Sequence, residues 1–325
     1  MKASSYYRRL IGIFANYKRK RIVLPYPPLR LWIEPTSHCT LSCVMCPNKE
    51  LAKDDKGFME VGLFKKVIDE AAAFAHDVHL YHRGEALLHP QFFEMARYAH
   101  QAGLKAKLHT NATLLDEEKS RRLIDSGLDD LSFSFDGYDK ESYESVRVNG
   151  TFEKTVGNIL RFLEIKKELG SKTPVTILEL IDFPELYARI GPAVKKAFRD
   201  RFKGLPLDRL IVKEMHNWAG EMGDLRTARN FSPCTFLWQA LIVLWDGTVL
   251  PCTQDFFGYY KLGNARDAKL AEIWNNGEAV RLREKMAGRN IQDFETCSKC
   301  DRVWRKQFLG VPREYLWKFL LNKMS

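Results

Sequence analysis

The run Arg30-Leu31-Trp32-Ile33-Glu34-Pro35-Thr36-Ser37-His38-Cys39-Thr40-Leu41-Ser42-Cys43-Val44-Met45-Cys46 places a short apolar stretch directly before three cysteines. Arg30–Pro35 reads as a strand, so the cysteines fall on the loop that follows it. Gaps of three and two residues span at most about 10–14 Å of chain. Three thiols can therefore close around one corner of a compact metal cluster. A zinc ion would need a fourth ligand, and His38 is available, but zinc sites usually draw on two separated ligand pairs. Thiolates suit iron–sulfur chemistry, and three of them leave one iron without a protein ligand.

Outward from that run, residues 30 to 215 alternate short apolar stretches with longer amphipathic ones. Further strands are expected at Asp77–His82, Leu104–Thr110, Asp130–Phe135, Val175–Ile181 and Leu207–Glu214. Helices are expected at Glu60–Phe74, Pro90–Ala102, Asp116–Ser126, Phe152–Leu169 and Pro184–Phe202. Six β–α repeats, too short for eight, predict an α/β fold: an incomplete (β/α)6 TIM-like barrel with its chemistry at the C-terminal strand ends. A hairpin follows, Leu241–Trp245 and Thr248–Pro251 around Asp246-Gly247, then a helix near Ala268–Ala287. The expected organisation is a basic amphipathic segment over 1–29, the barrel over 30–216 and a linker over 217–233. A small cluster domain over 234–302 and a basic aromatic helix over 303–325 complete it.

The chain has 325 residues, 45% hydrophobic and 28% charged, which excludes wholesale disorder, collagen and coiled coil. No apolar run approaches the roughly 20 residues that cross a bilayer. Leu10–Phe14 is too short for a signal peptide, so the expected location is cytoplasmic. Lys plus Arg outnumber Asp plus Glu by 51 to 41, a net charge of +10. That excess favours anionic partners without selecting one. Specific nucleic-acid binding is not expected. The two tails mix aromatic with basic residues, which suits either packing on the barrel or peripheral contact with an anionic inner-membrane surface or an anionic substrate.

Cys39-x3-Cys43-x2-Cys46 after the first strand resembles the signature of the radical SAM superfamily. The resemblance implies a [4Fe-4S] cluster whose open iron binds S-adenosylmethionine (SAM), a 5′-deoxyadenosyl radical, and a low-potential electron donor such as flavodoxin or ferredoxin. Further matches fall at the expected strand ends. Arg83-Gly84-Glu85 stands where the family has Gly-Gly-Glu, with Arg83 replacing the first glycine and Ala86 the usual following proline. His109-Thr110-Asn111-Ala112 resembles the Thr-Asn-Gly segment with its glycine changed. Ser132-Phe133-Ser134-Phe135-Asp136-Gly137 has the Ser-x-Asp-Gly form. The implied SAM contacts are Met45, Gly84, Glu85, Asn111, Ser134 and Arg147.

Four more cysteines, Cys234, Cys252, Cys297 and Cys300, lie near the end with 17, 44 and 2 residues between them. A four-cysteine zinc ribbon is one reading. Phe231-Ser-Pro-Cys234, Val243-Leu-Trp-Asp-Gly-Thr-Val-Leu-Pro-Cys252, Leu262-Gly263-Asn264 and Ile273-Trp274 resemble a twitch or SPASM auxiliary domain. That resemblance implies one auxiliary [4Fe-4S] cluster with no open iron. The leading expectation is oxidation of an alcohol carbon in a small polar substrate, such as a sugar, cyclitol or glycoconjugate, with the auxiliary cluster accepting the electron. Glu214 and His216 close the sixth strand as candidate bases, with Glu179, Asp182, His79, His82 and His109 near the same face. Peptide or protein maturation is the alternative, and a noncatalytic metal-binding scaffold is a third.

Overall fold

The structure, a computed structural model, describes residues 3–225, 230–308 and 311–312. α1 (Ala3–Lys18) precedes β1 (Arg30–Ile33), α2 (Val61–Ala72) and β2 (Asp77–His79). Next come α3 (Phe92–Gln101), β3 (Lys105–Thr110), α4 (Glu117–Asp125) and β4 (Asp130–Ser134). α5 (Lys140–Val146), α6 (Phe152–Glu168), β5 (Val175–Asp182), α7 (Pro184–Tyr187), α8 (Pro192–Asp200) and β6 (Arg209–Glu214) complete the first part. The last part holds β7 (Ala240–Val243), β8 (Thr248–Leu250), β9 (Gly263–Asn264), α9 (Leu270–Trp274), α10 (Gly277–Gly288), α11 (Glu295–Lys299), β10 (Gln307–Phe308) and β11 (Val311–Pro312).

One sheet runs β6-β5-β4-β3-β2-β1-β7-β8-β9. β1 to β6 are parallel in sequence order, the expected six-stranded TIM-like arrangement. The register was not foreseen on the far side of β1: β7 pairs with it in parallel, from Arg30 opposite Ala240 to Ile33 opposite Val243. The Asp246-Gly247 hairpin forms as read, with β8 antiparallel to β7 and Gly247 at φ 92°. The second cysteine region is thus built onto the barrel sheet.

Local rules account for most boundaries. Asp116 caps α4 by accepting from Lys119 N at 2.7 Å. α2 turns Leu63, Phe64, Val67, Ile68 and Ala71 inward, and each fully buried Leu, Val, Ile or Phe contributes about 1.5–3 kcal/mol. The helix expected over Pro184–Phe202 is two helices. Pro192 has no N–H to donate and holds Gly191 extended, with ψ 155°. The helix expected over Ala268–Ala287 also divides, because the Asn276 side chain accepts from Ala279 N at 3.0 Å and starts a new one. α5 was not expected; Asp139 and Ser142 form its capping box.

α1 takes the packing option open to the amino-terminal tail. Tyr6, Leu10, Ile13 and Tyr17 are buried, while Tyr7 and Ile11 face out. The helix expected over 303–325 is not what the described residues 303–308 and 311–312 form. A short turn ends at Trp304, and β10 pairs antiparallel with β11; Gly310 and Pro312 are poor helix residues. Residues 313–325 lie outside the described residues. Among the described residues no helix is long and apolar enough to cross a membrane.

Candidate active site and cluster sites

Hydrogen bonds from three directions shape the loop after β1. Ser42 N and Val44 N donate to the carbonyls of Val148 and Val146, each at 3.0 Å. Asn48 sends its amide to the carbonyls of Ser37 and Arg83, each at 2.8 Å. Cys39, Cys43 and Cys46 then line a cavity of about 410 Å³ at the C-terminal ends of the strands. Met45, Gly84, Glu85, Asn111, Ser134, Arg147, Glu214 and His216 line the same cavity. The sequence-predicted contacts therefore converge on one space.

Gly84 is required by close approach. A Cβ there would lie 2.4 Å from the backbone oxygens of both Thr36 and His38, and Glu85 N donates to His38 O at 2.8 Å. The buried Glu85 carboxylate accepts from Thr110 Oγ1 at 2.8 Å, Asn111 N at 2.7 Å and Leu87 N at 3.2 Å. Burial still lifts its carboxyl above the usual range. A carboxylate offers about four acceptor positions, so room remains for an ammonium. Ala112, in the usual glycine's place, has φ 60°, the left-handed region that glycine enters without strain.

Asn111 organises the cysteine loop directly. Its Nδ2 donates to Thr40 Oγ1 at 3.0 Å and lies 3.7 Å from Cys39 Sγ. Arg147 pairs with Asp136 through Nη2 and reaches Cys43 Sγ with Nη1 at 3.5 Å. The guanidinium is thus engaged rather than standing free for a carboxylate, although its buried Nε has no hydrogen-bond partner among the described residues. Glu214 is exposed at the rim. His216 lies against Trp218, edge to face at 4.4 Å. Burial first, then the charges of Arg302 and Arg305, push its imidazole down to about 3, so it is neutral at pH 7.

His79, His82, His109 and Glu179 line the cavity, on the face where the sequence reading put them, but the ion pairs and ring stacks that hold them escaped that reading. Arg30 pairs with Asp77 at 3.1 Å, and Lys213 with Glu179 at 2.6 Å. His79 stacks on Trp32 and His109 on Tyr81, both at 4.1 Å. The signal was present as alternation: Arg30 and Trp32, Asp77, His79 and Tyr81, Lys107 and His109 recur with the strand period of two. The buried ion pair of Glu34 and Arg83 was missed for the same reason.

The other four cysteines meet in a second small cavity. Cys234, Cys252, Cys297 and Cys300 line it with Leu237, Leu282, Met286 and Val303. Burial pushes the thiols of Cys39, Cys252 and Cys300 up to about 12, and that of Cys46 to about 11. Unaided, such thiols stay protonated; a cationic metal group bound among them would favour their thiolate form. Among the described residues no three Cys, His, Asp or Glu side chains close on a single metal ion. Sulfur-only donor sets in two cavities suit iron–sulfur clusters, which are held by cysteine thiolates.

One segment belongs to both cavities. Thr253 and Gln254 wall the first, while Cys252, Gln254 and Asp255 wall the second. Gln254 is buried, and its Oε1 has no hydrogen-bond partner among the described residues.

Residues 33–182 match the radical SAM superfamily, and residues 234–301 match the SPASM iron-sulfur cluster-binding domain. The chain belongs to the radical SAM superfamily and carries a SPASM domain, so SAM, a radical SAM [4Fe-4S] cluster and auxiliary iron–sulfur chemistry are its cofactor set. It is similar to a PqqA peptide cyclase of Gluconobacter oxydans, 30% identical over 87% of this chain and 86% of that protein. It is also similar to a tungsten-containing aldehyde ferredoxin oxidoreductase cofactor-modifying protein of Pyrococcus furiosus, 26% identical over 76% of this chain and 80% of that protein. Among solved structures, BtrN in complex with AdoMet and 2-DOIA superposes with a TM-score of 0.57 at 17% identity, covering 85% of this chain and 93% of that one.

Proposed function

We propose that the chain oxidises a hydroxyl-bearing carbon of a small polar substrate, with the auxiliary cluster as electron acceptor. The observation that carries this reading is the shared wall. Gln254 lines both cavities, with Thr253 on the reaction side and Cys252 and Asp255 on the cysteine side. Four cysteines fill the positions of one auxiliary cluster and leave no iron for substrate. When bound, SAM on the first cluster supplies a radical that removes a hydrogen atom, and the auxiliary cluster supplies a one-electron acceptor.

The chain's own residues do the rest. Cys39, Cys43 and Cys46 hold the first cluster. Gly84, Glu85, Asn111 and Ser134, with Met45, bind and orient SAM, and Arg147, held by Asp136, steadies the Cys43 side of the same pocket. Glu214 accepts the hydroxyl proton at its carboxylate, and neutral His216 offers an acceptor beside it. A substrate hydroxyl would leave its proton at the Glu214 carboxylate, while bound SAM would supply the hydrogen-atom acceptor and the auxiliary cluster the electron acceptor, so that a carbonyl remains. A low-potential flavodoxin or ferredoxin supplies the first electron.

The 30% identity to a PqqA peptide cyclase favours a second reading, modification of a peptide. Incubation with SAM, dithionite and deuterated alcohols or peptides separates the two. Deuterium in 5′-deoxyadenosine with ketone formation from an alcohol supports the first; deuterium from peptides only replaces it with the second.

A further inference from the structure

The two cysteine sites are joined by a turn that was expected to be a linker. The fully buried Asn217 donates from Nδ2 to Lys299 O at 2.8 Å and to Gly223 O at 2.9 Å. Its Oδ1 accepts from Asp301 N at 3.1 Å. Asn217 therefore clasps both neighbours of Cys300. The next residue, Trp218, donates from Nε1 to Met45 O at 2.9 Å, immediately before Cys46. Its ring meets Phe256 edge-on at 5.1 Å, four positions beyond Cys252. Phe256 O in turn receives Arg83 Nη1 at 3.4 Å.

The turn's backbone is unusual. Trp218 and Ala219 have φ of 46° and 57°. Side-chain-bearing residues hold that conformation when the surroundings over-determine it. Here the surroundings are the two cysteine loops. Both ends of the strut are backbone groups adjoining metal ligands, so a shift of one loop is delivered to the other.

We infer that Asn217 and Trp218 are positioning residues that couple the auxiliary site to the SAM site. With Cys300 holding its cluster, Lys299 and Asp301 are fixed, Asn217 is clasped, and Trp218 holds the Met45 carbonyl and the Cys43–Cys46 turn. With Cys300 released, the clasp loosens and the cofactor loop loses its donor. The inference requires the two cluster sites and is independent of whether the substrate is an alcohol or a peptide. Linkage makes the coupling reciprocal, typically about 5–150-fold in affinity.

The test uses the full chain reconstituted without oxygen, with SAM as the probe. Cys300→Ser removes an auxiliary ligand, and Trp218→Phe keeps a ring but loses the N–H. SAM affinity, iron content, and the change that SAM causes in the electron paramagnetic resonance spectrum of the reduced first cluster are measured. Trp218→Phe is expected to retain wild-type iron, weaken SAM about fivefold or more and alter that spectral change. Cys300→Ser is expected to do the same after losing auxiliary iron, and the double variant to lose no more than the larger single loss. Wild-type SAM affinity and spectrum in Trp218→Phe would overturn the inference, as would additive losses in the double variant. Should Cys300→Ser lose both clusters, the Trp218→Phe result decides by itself.

Discussion

The Arg83 guanidinium forks onto the Glu34 carboxylate, Nε to Oε2 at 2.7 Å and Nη2 to Oε1 at 2.8 Å, with both side chains buried. The pair ties the end of β1 to the turn after β2, where Gly84 and Glu85 begin the cofactor pocket. Removing one partner strands the other charge, so Arg83→Ala should lose about 3–5 kcal/mol of stability. The Glu34→Gln, Arg83→Met double variant should recover most of that loss in urea unfolding. If the single variant unfolds like wild type, the pair has no structural role.

Acid should weaken the fold through its buried histidines. Burial pushes His79, His82 and His109 down to about 4. Between the unfolded value near 6.5 and about 4 the unfolded chain binds more protons, so stability falls as pH drops through that window. Each histidine contributes a slope of at most about 1.4 kcal/mol per pH unit. His79→Gln should flatten the urea-midpoint profile between pH 6.5 and 4; an unchanged slope would show that His79 does not titrate with unfolding. Glu34 adds to the trend at lower pH. Burial opposes its ionisation, but Arg83 outweighs that and holds the carboxyl below the usual range, so its contribution is lost as pH falls further.

Gly84→Ala should damage SAM binding before it damages the fold. The added methyl meets two backbone oxygens at 2.4 Å, and neither carbonyl can swing aside as a side chain would. Calorimetric SAM titration should show a loss of roughly tenfold or more, as a displaced Glu85 loses alignment with its donors. Wild-type affinity would mean that the pocket does not depend on this crossing.

The two cysteine sets should separate by chemistry. Cys43→Ala is expected to abolish 5′-deoxyadenosine. Cys252→Ala is expected to keep initial SAM cleavage, diminished to the extent that the Asn217–Trp218 strut couples the sites, and to block net oxidation. Iron should fall from roughly eight per chain to about four in either variant if both clusters are cubane. Ketone formed at the wild-type rate by a Cys252→Ala protein lacking auxiliary iron would reject the acceptor role.

Much of this was legible because the signals were local. Cys39, Cys43 and Cys46 announce themselves by spacing, Asp116 and Asp246-Gly247 by turn and cap chemistry, and the six strands by their rhythm. What sequence hid was distant pairing. Nothing near Ala240 says that it lies opposite Arg30, and nothing near Asn217 points to Lys299. The charged lining was hidden differently: residues such as Arg30 and Asp77 look like a break in an apolar strand until the barrel closes around them.

Because β7 lies against β1, the earliest strand of the barrel gains its outer neighbour only after residue 243 has been synthesised. A ribosome-bound chain ending at β6 exposes a bare edge on the very strand that launches the first cysteine loop. The SPASM region is accordingly no detachable cassette. Exchanging it between relatives would require transplanting the β1 edge with it.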